Sequence, residues 1–131
     1  MSNARAERLA PFDQIGGREG LRRLAVRFYE IMSDRPEAAG IRAMHDADLS
    51  RVTDSLAEFL MGWMGGPRDW FERPDRPCIM SQHRALPIGE SERDQWLSCM
   101  RQAMTDTIIA EDLRAELEPA FFRIADAMRT R

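Results

Sequence analysis

One tyrosine, two histidines and two cysteines make a thin stock of metal ligands and nucleophiles for 131 residues. Cys78 and Cys99 form no CxxC and stand at no metal-binding spacing, which excludes a zinc ribbon or a dithiol redox centre. His45 and His83 lie far apart, and neither belongs to an HExxH motif. No glycine-rich loop follows a strand-like run, and no Ser-His-Asp order comes with a nucleophile elbow. P-loop nucleotide chemistry and α/β-hydrolase chemistry therefore drop out. Acidic pairs such as Glu111-Asp112 read as first-turn helix charges. The longest apolar stretches are broken by Glu, Arg or Gly, so none is long enough to span a bilayer. With a net charge of −3 and arginines interleaved with Asp and Glu, no single-sign face invites nucleic acid. Two unpaired thiols and no signal-peptide pattern point to a reducing cytoplasm.

Strand signals are scarce as well, because no segment alternates with period two for long. What fills the chain is helical patterning. Apolar residues at Leu21, Leu24, Ala25, Phe28, Tyr29 and Met32 mark the inner face of a helix over 18–33, with Arg22, Arg23, Arg27 and Glu30 outside. Pro36 suits the first turn of a short helix that Gly40 is expected to end. Asp48 is placed to cap a long helix whose inner face is Leu49, Val52, Leu56, Phe59, Leu60 and Trp63, stopped by the Met-Gly-Gly-Pro at 64–67. Residues 67–89 hold four prolines and read as an irregular segment, with a helical turn near His83. A helix from Ser91, with Asp94 as a partial capping box, follows; its inner positions are Trp96, Met100, Ala103, Met104 and Thr107. The last helix presents Leu113, Leu117, Ala120, Phe121, Ile124 and Met128, with a kink or restart expected at Pro119. The class is all-α: one domain over 11–131 behind a loose terminus at 1–10.

Nine methionines, six phenylalanines and three tryptophans are ordinary core material that can also line a slot for a flat ligand. A lone histidine is by default a surface or satisfied core residue, and so are a single Tyr29 on an apolar face and a bulky Trp96. One imidazole cannot make a zinc site. It can hold a haem, since the macrocycle brings the in-plane nitrogens and asks the protein for one axial ligand.

In order along the chain, these residues resemble a group II truncated haemoglobin of the bacterial two-on-two globin family. The stretches that carry the resemblance are PFDQIGG leading to Phe28-Tyr29, GIRAMH before an Asp-Leu helix start, FLMGWMGGP at 59–67 and HRALPIGESERDQWLSCM at 83–100. They span roughly residues 11 to 128. The resemblance implies a two-over-two helical sandwich with the proximal helix reduced to a loop and a turn. It implies haem b with His83 as the iron ligand, and contacts to the cofactor from Leu56, Phe59, Trp70, Arg84, Ile88 and Trp96. Around the bound ligand it places Tyr29, Trp96, His45, Val52 and Leu56, with Tyr29 and Trp96 as donors to dioxygen. The implied ligands are dioxygen and also nitric oxide, carbon monoxide or peroxide, with a reductase as partner where turnover occurs. A monomer or homodimer without nucleic-acid or membrane partners is expected.

The chain departs from the family at Ile79-Met80-Ser81-Gln82, where many relatives carry arginines, and at Ser55, where some carry a basic residue. Arg68, Arg76 and Arg84 are left as candidates for the propionates. A second reading rests on these departures: a haem-free helical module for interaction or sensing, in which the neighbourhood of His83 is disordered or filled by side chains.

Overall fold

The computed structural model describes residues 9–72, 74, 83–108 and 110–131, without the side chains of Trp70 and Phe71. The expectations for residues 1–8, Arg76, Cys78 and the Ile79–Gln82 stretch lie outside the described residues, as does the Trp70 side chain.

The described chain is helical throughout its regular parts. Helix α1 (Pro11–Gln14) starts on a proline, whose missing N–H costs nothing in a first turn. It ends at Gly16 and Gly17, both at positive φ (102° and 69°), a backbone that side-chain-bearing residues avoid. That bend launches α2 (Gly17–Asp34), whose buried stripe holds Leu21, Leu24, Ala25, Phe28, Tyr29 and Met32 as expected. A 3-10 turn (Pro36–Ala38) leads into α3 (Ala39–Arg42). Gly40 sits inside α3 rather than ending it, because the room that its missing side chain leaves is taken by Gln95.

Helix α4 (Ser50–Trp63) opens on Asp48, which lies one residue outside the cap position. Its Oδ1 accepts from the Ser50 N–H at 3.0 Å and from the Ser50 hydroxyl at 2.6 Å. After a turn at Gly65 (φ 88°) comes the short α5 (Asp69–Glu72). Helix α6 (Glu90–Thr107) begins one residue before Ser91. Its N-terminal side-chain acceptor is Glu92, whose Oε1 takes the Gly89 N–H at 2.8 Å, and Asp94 has no part in the cap. Helix α7 (Glu111–Ala127) runs through Pro119 without restarting. Pro119 and Ala115, whose carbonyl loses its helical donor, are both exposed residues, a position at which proline is tolerated.

Helix α2 packs on both α4 and α6, and α6 packs on α7, so α2 and α4 lie over α6 and α7 in a two-over-two sandwich. Leu21, Leu24, Phe28, Met100, Leu113 and Phe121 are essentially inaccessible at its centre. Each such side chain contributes about 1.5–3 kcal/mol through removal from water. On the outside, Arg27 on α2 pairs with Asp106 on α6 at 2.7 Å. No helix of the described residues is long and apolar enough to cross a membrane.

Several apolar positions expected in the core are only half-buried: Val52, Leu56, Phe59 and Trp63 on α4, Trp96 on α6, and Ile124 and Met128 on α7. The fully buried face of α4 is instead Thr53, Ala57, Leu60 and Met61. Most of the half-buried set surrounds a single internal space.

Candidate functional site

A cavity of about 190 Å³ opens between α2, α4, the start of α6 and the end of α7. Val52, Leu56 and Phe59, spaced to share one side of α4, form one wall, and Ser55 adds a hydroxyl there. Ile124, Ala125 and Met128 form another wall. His83, Leu86 and Ile88 come from the connection before α6. His83 and Arg84 stand in a helical turn, and the Leu86 N–H returns to the His83 carbonyl at 3.0 Å.

Tyr29 reaches the cavity from the buried stripe of α2 and is 6% exposed. Its ring meets Phe28 edge-on, with centroids 4.8 Å apart, and meets His45 edge-on at 5.7 Å. Trp96 is clamped between Phe28 (5.3 Å) and Phe121 (5.9 Å), and Phe121 in turn touches Trp63 (5.2 Å). This aromatic train fixes both polar rings, since each sits against a fully buried phenylalanine. Among the described residues, neither the Tyr29 hydroxyl nor the Trp96 indole N–H makes a hydrogen bond. Such a buried hydroxyl costs roughly 1–3 kcal/mol unless something in the cavity meets it. Burial pushes the Tyr29 pKa far above the usual tyrosine range, so the hydroxyl keeps its proton.

His45 follows α3 on a loop that Arg42 straps down. The Arg42 guanidinium donates to the carbonyls of Asp46 (2.9 Å) and Ala47 (3.1 Å) and to the Ser33 hydroxyl (3.2 Å). Gln95 on α6 accepts the Ile41 N–H at 3.3 Å and holds the same region from the other side. The His45 Nδ1 lies 2.8 Å from the Ile41 carbonyl and must donate to it, because a carbonyl only accepts. Burial is the main force pushing the His45 pKa below its ordinary value. The ring is therefore neutral near pH 7, with the lone pair on Nε2.

The structure thus brings Tyr29, His45, Val52, Leu56, Phe59, His83, Ile88 and Trp96 around one space. It does not bring Arg84, which is exposed and absent from the cavity wall. Ile41, Met44, Leu86, Ile124 and Met128 line the wall without having been singled out for it. Ile124 and Met128 did carry a signal, as inner-face positions of α7. Arg93 was also missed. Among the described lining residues it is the one Lys or Arg, and it is engaged with Asp126 (2.9 Å), Asp94 (3.1 Å) and Glu90 (3.8 Å) while stacked on Phe122. Arg68 is exposed beyond α4.

Among the described residues no group of three or more His, Cys, Asp or Glu side chains could hold a metal ion. Among the described residues, an ion at His83 finds no further protein ligands grouped around it. A space walled by Val, Leu, Phe, Ile and Met, with the imidazoles of His45 and His83 and two unmet donors, fits a flat macrocyclic metal complex such as haem. Of the two arrangements that the haem-free reading expects at His83, a space filled by side chains is not found: the cavity is open.

Residues 10–130 match the family model described as bacterial-like globin. The chain is 30% identical over 105 residues to group 2 truncated hemoglobin YjbI of Bacillus subtilis (strain 168), covering 80% of this chain and 76% of that protein. Two solved structures are similar over nearly the whole length. The group II 2-on-2 hemoglobin from the plant pathogen Agrobacterium tumefaciens is 40% identical with a TM-score of 0.86, covering 94% of this chain and 95% of that one. The cold-adapted truncated hemoglobin from the Antarctic marine bacterium Pseudoalteromonas haloplanktis TAC125 is 31% identical with a TM-score of 0.88, covering 94% and 99%.

Proposed function

Because the chain belongs to the bacterial-like globins, as a group II truncated haemoglobin, we propose that His83 carries a haem b iron and that dioxygen binds in the same cavity against Tyr29 and Trp96. Haem b is the family's cofactor, and binding of dioxygen and other small ligands goes with it. The observation that carries the residue assignment is the buried Tyr29 hydroxyl, fixed between Phe28 and His45 and without a protein partner among the described residues. A donor held in place and left unmet is suited to a ligand that accepts.

When bound, haem would supply an iron able to take a diatomic ligand, and His83 is the residue that would hold it. The chain's own groups then decide how long that ligand stays. The Tyr29 hydroxyl and the Trp96 indole Nε1–H both donate, and neither can lose its proton near neutral pH. His45 has a different task. With Nδ1–H given to Ile41, its Nε2 can only accept, so it orients a hydroxyl or water beside the ligand. Val52, Leu56, Phe59 and Ile124 keep the surroundings apolar, which strengthens each hydrogen bond.

Two donors at about 1 kcal/mol each correspond to release slowed roughly 10- to 30-fold. Retention of that kind suits chemistry on nitric oxide or peroxide better than oxygen delivery. Turnover then draws electrons from a separate reductase, in the cytoplasm. Addition of hemin to the purified protein tests the proposal: a Soret band that shifts on dithionite and again on carbon monoxide is expected. Hemin that binds without those shifts, or does not bind, overturns it.

A further inference from the structure

His83 and Arg84 are helical and are followed by an irregular connection to α6, so the place of His83 depends on how that connection is tied down. Backbone groups in such a segment need partners from elsewhere in the fold. Three of them are met by the residues that follow α7. The Thr130 hydroxyl donates to the Leu86 carbonyl at 2.6 Å and accepts from the Ile88 N–H at 2.9 Å. The N–H groups of Thr130 and Arg131 both donate to the Ile88 carbonyl, at 2.8 and 3.1 Å. Leu86 is itself joined to His83 by the 3.0 Å turn bond, and the side chains of Leu86 and Ile88 line the cavity.

This tail is held in turn. The Arg129 guanidinium donates to the Arg131 carbonyl (3.0 Å and 3.2 Å) and to Asp126 Oδ1 (3.3 Å). Asp126 accepts from Arg93 in the first turn of α6 at 2.9 Å. A continuous set of bonds therefore runs from the start of α6, through the end of α7, to the residues just after His83.

We propose that Thr130 is a positioning residue for His83: its hydroxyl, bridging Leu86 and Ile88, fixes the segment that sets where the imidazole meets the haem iron. The inference rests on the haem reading above. It turns on a hydroxyl that donates and accepts at once, which serine reproduces and valine does not. Thr130→Val keeps the shape and the two bonds to the Ile88 carbonyl. It takes away the hydroxyl's two bonds and leaves the Leu86 carbonyl and the Ile88 N–H with only the 3.0 Å bond they make to each other.

The test uses the hemin-loaded protein with three variants: Thr130→Val, Thr130→Ser and His83→Ala. Two readouts are followed, haem transfer to excess apomyoglobin and the iron–imidazole stretching band of the ferrous form by resonance Raman. Thr130→Val is expected to release haem about tenfold faster and to shift or broaden the band, and Thr130→Ser to restore both. Urea unfolding of the haem-free variants separates this from general loosening: the release and band effects persist where the midpoints match. A wild-type rate and band in Thr130→Val, beside altered spectra in His83→Ala, overturn the inference alone. So does a serine variant that behaves like the valine one. An unaltered His83→Ala overturns the haem reading, and the inference with it.

Discussion

The imidazole of His45 donates through Nδ1 to the carbonyl of Ile41 at 2.8 Å, one helical turn earlier in the chain, and so is kept from donating through Nε2 while it is neutral. Burial lowers its pKa against the opposing pull of that hydrogen bond, Arg42 and His83 add to the lowering, and Asp46 opposes it. The unfolded chain therefore takes up this proton first on acidification. The stability contributed by the neutral ring is full above the ordinary value near pH 6.5 and is lost as pH falls toward the folded-state value. Haem-free protein is expected to lose urea resistance between neutral and mildly acid pH, and His45→Gln to flatten that slope. An unchanged slope in the variant contradicts the assignment.

Tyr29→Phe separates ligand retention from stability. Removing an unmet buried hydroxyl leaves the haem-free protein at least as stable as wild type by urea unfolding. The same change removes a donor, so dioxygen release, followed by stopped flow, is expected to quicken by about 5- to 10-fold. Destabilisation with unchanged release shows that the hydroxyl serves the core and not the ligand.

Trp96→Phe keeps an aromatic ring between Phe28 and Phe121 and removes only the indole N–H and part of the bulk. Release is expected to quicken here too. Combined with Tyr29→Phe, the effect falls short of the product of the two, because donors that share one ligand are coupled. Strict multiplicativity in a double-mutant cycle places the two groups on different targets.

Gly20 tests the packing that sets the register of α2. A Cβ there lies 2.0 Å from the Ile15 carbonyl oxygen, a backbone atom that cannot step aside. Gly20→Ala is expected to cost about 1–3 kcal/mol in urea unfolding, or more. A loss below about 0.5 kcal/mol shows that α1 shifts freely against α2.

The helices were legible because amphipathic periodicity reports directly on a two-layer fold: Leu21, Leu24, Phe28 and Met32 can face only one way. Their ends were less so. Glu92 rather than Asp94 serves the cap of α6, since a start one residue earlier moves the third helical position with it. Pro119 does not restart α7, which runs unbroken from Glu111 to Ala127 with Pro119 on its exposed side. At the site, Tyr29, Trp96 and His83 stood out as scarce residue types in a family pattern. Leu86, Met44 and Ile41 did not, since the first two come from connections and the third from a four-residue helix too short to show periodicity. An inner-face position such as Ile124 looks the same in sequence whether it meets a core or a cavity. The engagement of Arg93 with carboxylates from two helices is a tertiary fact that no local pattern encodes.

The central claim is that His83 is the group that carries the iron. Its most direct test is the absorption spectrum of hemin-loaded His83→Gly, with and without free imidazole, beside wild type. A lost or displaced Soret band is expected in the variant, with a return to the wild-type spectrum when imidazole fills the space left by the side chain. A variant with the wild-type spectrum, indifferent to imidazole, contradicts it.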